Sequence, residues 1–185
     1  MKRLAAVVAA VLMAAAMTAS AQTGDFGLRA GYQRLADGDG GGSALGGFFR
    51  WDWHRVVMFE AALLYHVEEV DGAATNAATD IEFIPVQFSA MIYPLRRDYQ
   101  FSPYLLAGVG VYITRAVQTG VDSESDFDFG WHLGLGLDMN LNERVFLEGD
   151  FRYIWLDTQT DNTTIRDAMA SFDSWMATVG IGFRL

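Results

Sequence analysis

The chain has 185 residues, no cysteine and a formal net charge of −10. The length suits a single domain, and the lack of cysteine excludes a disulfide framework and a thiolate metal site. The acidic balance, without a basic stripe, argues against a nucleic-acid partner.

The N-terminus reads as an export signal. Met1, Lys2 and Arg3 form a short positive region, and residues 4–17 are an apolar run rich in Ala, Val and Met. Thr18-Ala19-Ser20-Ala21 then places small residues where a signal peptidase reads. A cleaved signal peptide is expected over residues 1–21, with one β-barrel domain over 22–185. The alternative is an N-terminal membrane anchor, but the run is shorter than the roughly 20 residues a spanning helix needs. Lys2 is the only lysine, so every later cation is Arg. No later stretch is apolar for long enough to span as a helix. If the mature chain enters a membrane it must do so as a closed barrel, because lipid offers no partner to an unpaired backbone group.

Beyond the signal, hydrophobicity alternates with a period of two, the mark of a strand with one apolar and one polar face. Phe26, Leu28, Ala30 and Tyr32 oppose Arg29 and Gln33. Leu45, Phe49, Trp51 and Trp53 oppose Arg50 and Asp52. Val57 to Val67 puts Phe59, Leu63 and Tyr65 opposite Glu60 and His66. Around Ile84 to Ile92 the pattern holds, but Ile81 and Phe83 fall in the other phase, which predicts a bulge near Ile84-Pro85. Leu105 to Ile113 opposes Gly108 and Gly110. Phe127 to Asn140 is the longest case: Trp131, Leu133, Leu135 and Leu137 oppose His132, Gly134, Gly136 and Asp138. Val145 to Trp155 opposes Glu148, Asp150 and Arg152, and Trp175 to Leu185 opposes Thr178, Gly180, Gly182 and Arg184.

These are eight strands of about ten residues, the length that crosses a bilayer at a tilt. Asp52–Arg55 and Asn140–Glu143 are short turns, and Pro94–Ser102 is intermediate. Ala36–Gly42, Glu68–Thr79, Arg115–Asp126 and Asp157–Asp173 are longer and more polar. Short periplasmic turns alternating with long external loops are the pattern of a transmembrane barrel. The expected fold is all-β: an eight-stranded antiparallel up-and-down transmembrane β-barrel.

Alternation alone does not say which face points inward, and a soluble ligand-binding barrel alternates too. Three features place the apolar face outside. All five Trp lie on the apolar phase near strand ends: Trp51 and Trp53 at the short-turn end, and Trp131, Trp155 and Trp175 at the long-loop end. Two aromatic girdles at the membrane interfaces have this distribution. The polar phase carries mid-strand charges of both signs, and eight strands enclose only enough room for side chains. The interior polar network is expected to comprise Arg29, Arg50, Glu60, His132, Glu148, Asp150, Arg152 and Arg184. The final strand, finally, alternates apolar residues up to Leu185.

Pro103 to Val111, Phe146 to Tyr153 and Val179 to Leu185 resemble strands of the small outer-membrane β-barrel proteins of the OmpA/OmpX or porin-like barrel-domain type. The resemblance covers the whole mature chain. Leu185 departs from the terminal aromatic usual in that family. The resemblance implies export through the periplasm, residence in the bacterial outer membrane as a monomer, and dealings with outer-membrane lipid, lipopolysaccharide and the barrel-assembly machinery.

Candidate chemistry is sparse. His66 and His132 lie on the polar phase near loop ends, with Ser123, Ser125, Asp126 and Asp128 nearby in sequence, as a rim lipid hydrolase or acyltransferase would need. No G-x-S-x-G motif accompanies them. His54 falls in a short turn. Asp37 and Asp39, and the run Asp122 to Asp126, offer oxygens for Ca²⁺ without EF-hand spacing. Asn162-Thr-Thr164 matches a glycosylation sequon that carries no weight in a bacterial chain. No enzyme activity, cofactor or metal is expected. The expected function is a structural or surface-interaction barrel with a filled interior. The alternatives are a narrow solute pore, a rim lipid enzyme and a soluble periplasmic binding barrel.

Overall fold

The computed structural model describes residues 24–35, 41–70, 79–95, 97, 99–117, 125–157 and 173–185. The expected signal peptide, Asp37, Asp39, Asp122, Ser123, Glu124 and the Asn162 sequon lie outside them.

All regular structure among the described residues is strand. β1 (Gly24–Leu35), β2 (Gly41–His54), β3 (Val57–Val70), β4 (Thr79–Ile92), β5 (Phe101–Val117), β6 (Ser125–Asn140), β7 (Val145–Asp157) and β8 (Ser174–Arg184) follow in order. Each pairs antiparallel with its chain neighbours, and β1 pairs with β8, so the sheet closes as a barrel without a free edge. The strands run from 11 to 17 residues, longer than the alternation marks out. Backbone pairing continues into polar sequence at the long-loop end, so that β3 reaches Val70 and β6 begins at Ser125.

The bulge expected near Ile84-Pro85 is not there. β4 pairs with β5 in one unbroken register from Asp80↔Val117 to Ile92↔Leu105. Against β3, Leu63↔Val86 and His66↔Phe83 belong to the same register, with the pairs between them missing around Pro85. Proline lacks an N–H, so it interrupts a ladder without adding a residue to it. The one register shift in the β2–β3 pairing is at Asp52/His54, beside the tight turn.

The apolar phase faces out. Leu28, Leu45, Leu105, Leu133, Leu135 and Val179 are each more than half exposed, while Arg29, Arg50, Glu60, Asp138 and Arg152 are at most 1% exposed. A soluble barrel has the opposite polarity, so this distribution overturns the soluble-binder alternative.

The interior is not wholly polar. Met58, Met91, Tyr93, Tyr104 and Leu106 form one buried cluster toward the short turns. A second includes Phe48, Leu64, Tyr112, Phe146, Ile154 and Met176. Glycines make room for the rings. Phe48 faces Gly27 across the β1–β2 ladder, Tyr104 faces Gly136 across β5–β6, and Phe146 faces Gly182 across β7–β8. A Cβ at Gly136 or Gly182 would come within 2.2 Å of the facing ring. A ring laid over a glycine on the facing strand fills a narrow barrel and pins its register.

Candidate functional site

The inward phases of five strands, β1, β2, β3, β6 and β7, converge on a belt of charge. Glu60 on β3 is its hub. Its Oε1 accepts from Arg29 Nη1 at 3.1 Å and from Arg152 Nη2 at 2.6 Å. Its Oε2 accepts from Arg29 Nη2 at 2.6 Å and from Arg50 Nε at 2.8 Å. Three guanidiniums, from β1, β2 and β7, therefore share one carboxylate. Glu148 on β7 closes a second ring: Arg29 Nε lies 2.8 Å from its Oε1, and Arg50 Nη2 donates to its Oε2. Arg50 also reaches Asp138 on β6 at 3.2 Å, and Arg152 reaches Asp150 at 2.7 and 3.0 Å.

Neutral groups carry the network on. Arg152 donates to Gln87 Oε1 at 2.9 Å, Gln87 donates to the Tyr112 hydroxyl at 3.1 Å, and Tyr104 donates to Asp150 at 3.1 Å. The Arg29 and Arg50 guanidiniums lie over the Phe48 ring, 4.4 and 4.5 Å from its centroid. The paired side chains of Arg29, Arg50, Arg152, Glu60, Glu148, Asp138 and Asp150 are all 0% exposed. Charge buried this deeply is tolerated only when paired and hydrogen-bonded, as it is here.

Of the residues expected in the interior, Arg29, Arg50, Glu60, Glu148, Asp150 and Arg152 meet in this belt. His132 stands beside it, its Nε2 2.8 Å from Ser89 Oγ, which lies 3.4 Å from Arg152 Nη1. Arg184 is apart. It is half-buried at the end of β8, donates to Asn140 Oδ1 at 2.5 Å and lies over the Phe146 ring. Asp138, Gln87, Ser89, Tyr104 and Tyr112 complete the network and were not singled out in the sequence.

The short-turn mouth has its own cluster, built on the β4–β5 connection. Tyr93 is fully buried there and donates to Asp138 at 2.9 Å. Burial pushes its phenol well above the ordinary tyrosine value, so it remains a donor. Arg97 donates to Asp25 on β1 and, at 3.1 Å, to Asp52 on β2. Burial works against its charge, but Asp25 foremost among the neighbouring groups more than offsets that, and its pKa is raised.

All five Trp lie on the outer face. Trp53 is 73% exposed and Trp131 52%. Trp131 stacks on Trp155 at 3.9 Å and 13°, and Trp155 touches Tyr153 at 4.6 Å. Trp175 packs between Tyr32 and Phe151. At the other end Trp51 and Trp53 both meet Phe59.

For the rim-enzyme alternative, His132 pairs with Ser89 inside the barrel, and its Nδ1 meets no carboxylate. Its contact is therefore not the Ser–His–acid geometry of a nucleophile and its base. His54 is exposed in the β2–β3 hairpin. No group of three His, Cys, Asp or Glu among the described residues could hold a metal ion.

The profile of the family described as outer membrane protein beta-barrel domain matches residues 5–183. No curated protein matches the sequence. Among solved structures, the fold is similar to Neisserial surface protein A, with 13% identity and a TM-score of 0.65 over 88% of this chain and 96% of that one. The N-terminal β-barrel domain of OprF from Pseudomonas aeruginosa is 13% identical, with a TM-score of 0.58 over 87% of this chain and 97% of that one. Ail, the attachment invasion locus protein of Yersinia pestis, solved in complex with the heparin analogue sucrose octasulfate, is 15% identical, with a TM-score of 0.57 over 88% and 99%. At such identities the likeness concerns the fold, and function has to be argued from the site.

Proposed function

Because the chain belongs to the outer membrane protein β-barrel domain family, and so to the bacterial outer membrane, we propose that it is a closed, non-conducting monomeric barrel whose work is done by contacts at its long-loop end. One observation carries this reading: the belt centred on Glu60 links β1, β2, β3, β6 and β7 through side chains with no exposed surface. An ion would have to displace paired charges to pass it. A rigid scaffold with long connections at one end is where binding function usually sits.

The connections at 36–40, 71–78, 118–124 and 158–172 carry acids such as Asp37, Asp122, Glu124 and Asp161, with Arg166 as their one cation. Ail was solved with an anionic sugar analogue. The opposite charge here favours a cationic surface partner over a sulfated one. Outer-membrane lipid and lipopolysaccharide surround the apolar face, and the barrel-assembly machinery delivers it there. Catalysis is not part of the proposed role.

Planar-bilayer recording of the refolded protein tests the central reading. The expected trace stays at the baseline of the protein-free membrane. Discrete steps from the unmodified protein would replace this reading with a narrow pore. Labelled lipid tests the enzyme alternative: no acyl chain should be released, and release that disappears in His66→Ala or His132→Ala would reinstate it.

A further inference from the structure

The β4–β5 connection is too well tied to be only a turn. It leaves the wall at Tyr93, whose buried ring packs on Tyr104 at 5.3 Å and whose hydroxyl is held by Asp138 on β6. Arg97 lies over the Tyr93 ring, 5.2 Å from its centroid, and its guanidinium binds Asp25 and Asp52. Those carboxylates stand on β1 and β2, with β3 between them and β4, so the arm reaches over the mouth and not along a neighbouring strand. Asn140 on β6 holds the backbone from the other side, donating to the carbonyls of Arg97 at 2.7 Å and Tyr99 at 2.5 Å. Arg184 on β8 in turn donates to Asn140.

We infer that the β4–β5 connection, through Tyr93, Arg97 and Tyr99, is a strap that seals the short-turn mouth, a second closure in series with the belt. Its anchors belong to β1, β2 and β6, so the strap also ties together walls that do not pair directly. The inward side chains behind the strap, Ser102 among them, are then shut off from the periplasmic side while Arg97 holds its two carboxylates. The inference rests on the closed-barrel reading, and the two fail separately. Conductance of the unmodified protein tests the whole barrel, whereas access to a residue buried behind the strap tests the strap alone.

The chain has no cysteine, so an introduced thiol is a clean probe. Ser102 is buried just behind the strap, its hydroxyl donating to the Tyr99 carbonyl at 3.2 Å. Ser174, equally buried, is at the start of β8 toward the opposite end. With Ser102→Cys in vesicles of known orientation, a charged methanethiosulfonate added on the short-turn side should label slowly. Adding Arg97→Ala should raise that rate at least tenfold and leave labelling of Ser174→Cys unchanged. Equal labelling of Ser102→Cys with and without Arg97 would overturn the strap. Equal acceleration at both probes would overturn it too, since Arg97 would then be holding the barrel as a whole.

Discussion

Glu60 holds three guanidiniums at once, so its loss and the loss of a peripheral charge should differ sharply. Glu60→Ala leaves Arg29, Arg50 and Arg152 buried without their shared carboxylate. Removing one partner of a buried ionic network costs about 3–5 kcal/mol. Urea unfolding in lipid vesicles, followed by tryptophan fluorescence, should show a loss of that size. Arg184→Ala removes a half-buried contact to Asn140 and should cost less than about 1 kcal/mol. Alternation was enough to put the belt residues on the polar phase, because period two assigns a face to each position. It could not pair them: Arg29 and Glu148 are 119 positions apart, and barrel closure decides which strands confront each other inside. Asp138 carried the same alternating signal as its neighbours and went unselected among glycines. Tyr93 lies beyond the end of the alternating run, so nothing in the pattern marked it.

The strand ladder explains which glycines matter. Gly136→Ala puts a methyl into the Tyr104 ring, which is also held by Asp150. Overpacking of that kind costs about 1–3 kcal/mol. Gly149 is on the outer face of β7, and a Cβ there would meet nothing within 4 Å. Gly149→Ala should therefore change stability by no more than about 0.5 kcal/mol, and the same urea titration compares the two. The existence and order of the eight strands were legible because each carries a long apolar phase. The aromatic layers inside were not, because Phe48, Tyr104 and Phe146 are large apolar residues on the polar phase and weaken the alternation they belong to. Their signal is joint, a ring on one strand facing a glycine on the next, and it needs the register to be seen. Ile81 and Phe83 misled for a related reason: apolar residues on the polar phase imitate a shift of phase, while the β4–β5 register runs through them unbroken.

For the molecule as a whole, the outward apolar face predicts how the barrel meets lipid. Leu135 is mid-strand on β6 and 57% exposed. Leu135→Arg should cost about 2–4 kcal/mol near the bilayer midplane, whereas Leu141→Arg, in the β6–β7 turn, should stay within about 0.5 kcal/mol. Single-tryptophan variants keeping only Trp53 or only Trp131 should both be quenched strongly by bromine carried near the headgroups and weakly by bromine at the midplane. Strong midplane quenching of either would break the two-girdle arrangement. The outward face of each Trp was readable from sequence because a period of two assigns a face to every strand position.

The pairing of β1 with β8, completed by Leu185 N–H donating to the Gly24 carbonyl, has a consequence for how the protein is made. Of the eight strands β8 is the last to be synthesised, so β1 and β7 each present an unsatisfied edge until it is made. Such edges invite pairing with other chains, and contacts this distant in sequence form slowly. Interrupting the chain before β8 should leave a sticky, protease-sensitive precursor and not a smaller barrel.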